Sequence, residues 1–159
     1  MLKHILKYAL VIFCLAFSLN SFAQSNKEDV DFIQSIYGKE KKAVVAEFIK
    51  LEGEQKDAFW KLYDEYETKR KELGHQRVAL LERYAKNYST LDDATTDSII
   101  KDMLKLGAST DKLINTYYGK LKKVSSVKAA GQFVQIESYL LSEVRAAIFE
   151  SIPIIDELK

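Results

Sequence analysis

One proline, one cysteine, two histidines and six glycines are all that this 159-residue chain holds of the residues that break helices, cross-link chains or bind transition metals. So few breakers exclude the turn-rich pattern of a small β fold and favour long helices. No apolar run approaches the roughly 20 residues that a membrane-spanning helix needs. Neither sign of charge dominates, with 24 Lys and Arg against 23 Asp and Glu, and that balance removes the electrostatic footprint of a nucleic-acid binder. At 47% hydrophobic and 30% charged, the composition is that of one ordinary domain with one core.

The start of the chain, "MLKHILKYALVIFCLAFSLNSFAQS", has the three-part layout of a secretory signal peptide. Lys3 and Lys7 form the basic part, an apolar run of about 12 residues follows from Tyr8, and Ser21 and Ala23 precede a cleavage point after Ala23. Residues 1–23 are thus expected to be removed, leaving 24–159 as a single all-helical, periplasmic domain. Removal takes away both lysines, which changes the formal charge from +1 to −1, and it takes away Cys14. The remaining chain has no thiol, so packing alone must stabilise it although export permits disulfides.

Four helical stretches can be read from spacing. Val30, Ile33, Ile36 and Tyr37 lead to Gly38, where a break or bend is expected, and Val44, Val45, Phe48 and Ile49 continue beyond it. From Gly53 to about Tyr88, the positions Phe59, Leu62, Tyr63, Tyr66, Leu73, Leu80, Leu81, Tyr84 and Tyr88 fall within about 60° of one helical line. The turn "NYSTLDDATTD" offers several N-caps, after which Ile99, Met103, Leu106, Leu113, Tyr117, Leu121 and Val124 mark a third helix. A fourth begins at Ser125 or Ser126, carries Ala130, Phe133, Ile136, Leu140, Val144, Ala147 and Ile148, and ends near Ser151 because Pro153 biases Ile152 away from helix. "IPII" should fold back onto apolar surface. Short connections make neighbours antiparallel, and the heptad Phe59, Tyr66, Leu73, Leu80 suits coiled-coil-like pairing of the second and third helices. The expected fold is all-α, an elongated arrangement of four long antiparallel amphipathic hairpin helices.

Catalysis lacks its usual parts. Beyond the signal segment His75 is the only histidine and no serine has a nucleophile's setting, so no enzyme activity, catalytic residue or cofactor is expected. No His or Cys cluster suits a zinc, nickel or copper site, and no metal is expected. The aromatic set on the second helix reads as core, except Trp60, which projects about 100° from the stripe. Trp60 either covers a second helix contact or meets a client or partner. Arg70 and Arg77 fall at the centre of the second helix's apolar line, and Glu137 near the centre of the fourth's, where a charge must be paired or reach water. Counting rise from the shared lower end sets Glu137 near Tyr66, which predicts an Arg70–Glu137 ion pair, with one arginine facing an open groove as the alternative.

The run "LEGEQKDAFWKLYDEYETKRKEL" resembles the LTxxQ element of the Spy/CpxP-like family of periplasmic stress chaperones. Leu51 and Gln55 match the motif's ends and the long amphipathic helix matches its context, while Glu52 and Gly53 stand where the family has threonine and commonly proline. "KAAGQFVQIESYLLSEVRAAIFESIPII" resembles the last helix of such proteins. The resemblance implies a cradle of dimerised helical hairpins, a homodimer, that holds unfolded or partly folded envelope proteins without ATP. The other reading is a non-enzymatic adaptor or sensor bundle that binds one dedicated envelope protein.

Overall fold

Amphipathic spacing this long yields long helices. The computed structural model describes residues 27–157, with side chains from 37 onward. Among them the chain forms α1 (Lys27–Phe48), α2 (Gly53–Asn87), α3 (Asp93–Val124) and α4 (Val127–Ser151), with a 3₁₀ turn, Tyr88–Thr90, between α2 and α3. There is no strand among the described residues. The proposed signal segment and its cleavage point lie outside them. At 1.5 Å per residue, α2 and α3 are each about 50 Å long. α1 runs down, α2 up, α3 down and α4 up; α2 packs along α3, α3 along α4, and α1 lies against α2 and α4.

The helix ends follow local chemistry. Gly53 opens α2 at φ 55°, a left-handed conformation that favours glycine. The Asp92 carboxylate accepts a hydrogen bond from the Thr95 amide at 2.7 Å, and the Ser126 hydroxyl accepts one from the Ala129 amide at 3.1 Å, so each caps the helix that follows. Ile152, before Pro153, is extended at φ −116° and ψ 140°, which stops α4 at Ser151 as expected. The tail beyond it is tied to the far end of α2, where the Tyr84 and Tyr88 hydroxyls donate to the Pro153 and Ile154 carbonyls, each at 2.8 Å. Ile154 itself faces solvent.

The core is concentrated at the end where α2 and α4 begin. Phe59, Tyr63 and Tyr66 of α2 meet Ile114, Tyr117 and Leu121 of α3, Ala130 and Phe133 of α4, and Val45 and Ile49 from the end of α1. Ala129 and Ala130 allow α4 to approach closely there. Towards the other end the core thins: the heptad residues Leu73 and Leu80 are only half-buried, and Met103, expected on the inward stripe of α3, is exposed.

The break expected at Gly38 does not occur; α1 is continuous through it. A glycine costs a helix only about 1 kcal/mol, too little to interrupt one that is packed along its length. Gly38 serves close approach instead. A Cβ built there would lie 3.3 Å from Glu67 Oε2, 3.8 Å from Lys71 Cε and 4.0 Å from an Arg70 guanidinium nitrogen. Gly107 and Gly119 meet nothing within 4 Å. Gly107→Ala with Gly119→Ala should therefore raise stability by about 1–2 kcal/mol in urea denaturation. Gly38→Val should lower it by about 1–3 kcal/mol, because Glu67 is held in place and cannot yield freely. A stabilising Gly38→Val would contradict the close-approach account.

Candidate functional site

A set of charged side chains is buried where α1, α2 and α4 meet. Lys41 is three and four residues before Val44 and Val45, so it sits on the buried face of α1 and is itself only 4% exposed. Its Nζ lies 2.5 Å from Glu67 Oε1 and 2.8 Å from Glu137 Oε2. The ammonium also lies 5.1 Å from the ring centre of Tyr66 and 5.7 Å from that of Tyr63, within cation–π range. Tyr66 donates its hydroxyl to Glu137 Oε2 at 2.6 Å. Arg70 donates its Nε to both Glu67 oxygens at 3.0 and 3.1 Å, and its guanidinium lies 5.3 Å from the Tyr37 ring centre. Two cations thus face two anions in an apolar surround, the arrangement that makes buried charge tolerable.

The electrostatics follow from burial and these neighbours. Burial alone would raise the Glu67 carboxyl, but Lys41 and then Arg70 hold it below the usual glutamate range. Burial also pushes the Tyr37 phenol up to about 12, and it raises Tyr63 and Tyr66 further, with Glu137 as the next cause for both. These tyrosines are neutral donors, not bases. The Tyr63 and Tyr117 hydroxyls, Arg70 Nη2 and Glu137 Oε1 are buried without a hydrogen-bond partner.

The expected Arg70–Glu137 ion pair is corrected by this geometry. Glu137 does reach the level of Tyr66, but the cation waiting there is Lys41 from the first helix, and Arg70 is occupied by Glu67 one turn before it. Sequence reasoning missed Lys41 and Glu67. The signal for Lys41 was its spacing from Val44 and Val45; Glu67 had only its position beside Tyr66.

The remaining sequence-picked residues are not brought together. Leu51 packs on the core from the loop before α2, while Gln55 is exposed in the first turn. Trp60 is half-buried, edge-on to Phe59 at 5.2 Å and to Tyr63 at 5.3 Å, with the Lys42 ammonium 5.3 Å from its ring centre. Lys42 in turn pairs with Asp64. Trp60 therefore serves the contact between α1 and α2. His75 is half-buried on α2, and among the described residues no three His, Cys, Asp or Glu side chains form a metal-holding group.

A second feature lies on the surface. α3 and α4 leave a shallow groove of about 820 Å³ whose walls include Ile114, Tyr118, Val127, Gly131 and Val134, with Asp111 and Lys128 at its edge. Gly131 keeps one wall low, since no other group lies within 4 Å of where its Cβ would be. Leu104 is seven residues before Asp111, and Phe149 is eleven after Ser138, so both continue the lines of side chains that wall the groove. They are 64% and 65% exposed. Arg145 crosses to Asp111 at 3.1 Å between the two halves of this face.

Compared with protein-family models, curated proteins and solved structures, the chain has no match in any of the three. The fold and these features define an all-α four-helix bundle with a buried ionic cluster and one apolar groove open to solvent. No helix among the described residues is long and apolar enough to cross a membrane.

Proposed function

We propose that the protein is an exported, ATP-independent binding protein that holds unfolded or partly folded envelope proteins on its α3–α4 face. The observation that carries this reading is the groove together with Leu104 and Phe149, which leave large apolar side chains in solvent along one continuous face. Exposed apolar surface rimmed by charge suits loose contact with extended chain segments of varied sequence. The signal-like start and the resemblance of the Leu51–Leu73 run to Spy/CpxP-like chaperones point the same way. Buried tyrosines and paired charges give the bundle a fixed frame, so adaptability belongs to the groove and to the client.

The test uses residues 24–159 and follows light scattering from several unrelated aggregating proteins as the chain is added without ATP. Suppression across unrelated clients is expected, and Leu104→Gln with Phe149→Gln should weaken it about 5–10-fold at unchanged helicity. That loss corresponds to roughly 1–1.4 kcal/mol of binding, a modest fraction of two exposed apolar side chains. Undiminished suppression by the double variant would remove the groove from the reading. No suppression by a folded wild-type chain would favour an adaptor or sensor with one dedicated partner.

A further inference from the structure

Beyond the balanced cluster, one inward-facing cation has no counter-charge from the described residues. α2 and α4 run in the same direction, and the 2.6 Å bond from Tyr66 to Glu137 sets their register. Eleven residues along α2 from Tyr66 turn the helix by about 1100°, within about 20° of three full turns, so Arg77 shares the inward face of Tyr66 about 16 Å further along. Eight residues along α4 from Glu137 is Arg145, about 12 Å further along. Two guanidiniums on adjacent helices thus arrive within about one turn of each other. They feel each other electrostatically, with Arg70 the next cation.

The charges around them account for every group except one. Lys41 and Arg70 are answered by Glu67 and Glu137, and Arg145 by Asp111. Among the described residues no carboxylate lies within ion-pair distance of half-buried Arg77. Burial, and then the neighbouring Arg145 and Arg70, push its guanidinium below the usual arginine range. Arg70 adds a second unfilled donor, because its Nη2 is buried without a partner while its Nε is used on Glu67.

We propose that Arg77, with Arg145 opposite and the spare Arg70 Nη2 on the cluster side, binds one carboxylate group from outside the chain. A single unmatched positive charge suits a monoanion better than a phosphate dianion, and a guanidinium fork matches the two oxygens of a carboxylate. The partial exposure of Arg77 leaves a way in. The carboxylate belongs to a small organic acid or to the free C-terminus of a peptide, and the inference does not depend on the client-holding reading.

Two measurements test it in buffer free of other carboxylates. In the first, arginine Nε–H signals of the wild-type chain are followed by NMR during titration with acetate, and separately with a short neutral peptide carrying either a free or an amidated C-terminus. Signals of Arg77 and Arg145 should move, while that of Arg83, paired on the surface with Asp102, stays still. Response to acetate assigns a small acid; response only to the free-ended peptide assigns a chain terminus. In the second, thermal melting in acetate is compared with chloride at matched ionic strength. The wild type should gain about 3–6 °C near saturation, and Arg77→Met should melt higher than wild type in chloride and gain nothing from acetate. Still Arg77 signals with all ligands, or movement equal to that of Arg83, would overturn the proposal. So would an Arg77→Met chain that keeps the full acetate response. The NMR arm decides the matter even where that variant fails to fold.

Discussion

Glu137→Leu should lower stability by about 3–5 kcal/mol, among the largest losses available from one side chain here. Glu137 is 3% exposed, and its Oε2 receives both the Lys41 ammonium and the Tyr66 hydroxyl. Its removal leaves a buried set with two cations and one anion, and it strands the phenol against an apolar surface. Lys41→Met is harmful for the converse reason, since two carboxylates then face each other with Arg70 as their only strong partner. The double change Lys41→Met with Glu137→Leu restores balance, because Glu67 and Arg70 remain paired at 3.0 Å. Its cost should fall well below the sum of the single changes, by about 2–3 kcal/mol of coupling. Urea denaturation of the wild type and three variants measures that coupling. Strict additivity would mean that Lys41 and Glu137 are not the balanced pair this account requires.

The helices were legible in the sequence because each buries one stripe, and a stripe is a property of spacing within one segment. Phe59, Tyr63 and Tyr66, or Phe133 and Leu140, announce their face without any knowledge of neighbours. The stops at Ser126 and Pro153 were legible for the same reason, since capping and proline geometry act within a few residues. Gly38 was misread because its role is set by Glu67, Lys71 and Arg70 on another helix. Lys41 was hidden by its own chemistry: a long apolar stem can run along a buried face, and only the position of its ammonium tells an inward lysine from an exposed one. The Arg70–Glu137 expectation had the right level but the wrong partner, because a register count between two helices cannot see a third. The groove was illegible as well, since Leu104 and Phe149 become notable only once α3 and α4 leave them uncovered.

Phe133→Ala should cost about 3–5 kcal/mol, whereas Phe149→Ala, on the same helix, should stay within about 0.5 kcal/mol of wild type. The contrast isolates burial, because the atoms removed are identical. Phe133 is fully buried, and Tyr66 and Tyr63 stand edge-on to it at 5.0 and 6.3 Å. Phe149 is 65% exposed. Deleting the inner ring loses its transfer free energy and leaves a cavity that rigid aromatic neighbours fill poorly. The cavity also frees Tyr66 to turn, and Tyr66 carries the hydroxyl that holds Glu137. Part of the loss should therefore appear as weaker coupling between Lys41 and Glu137 when their double-mutant cycle is repeated in the Phe133→Ala background. Unchanged coupling there would show that Lys41 alone positions Glu137 and that the aromatic core supports the charges only by excluding water.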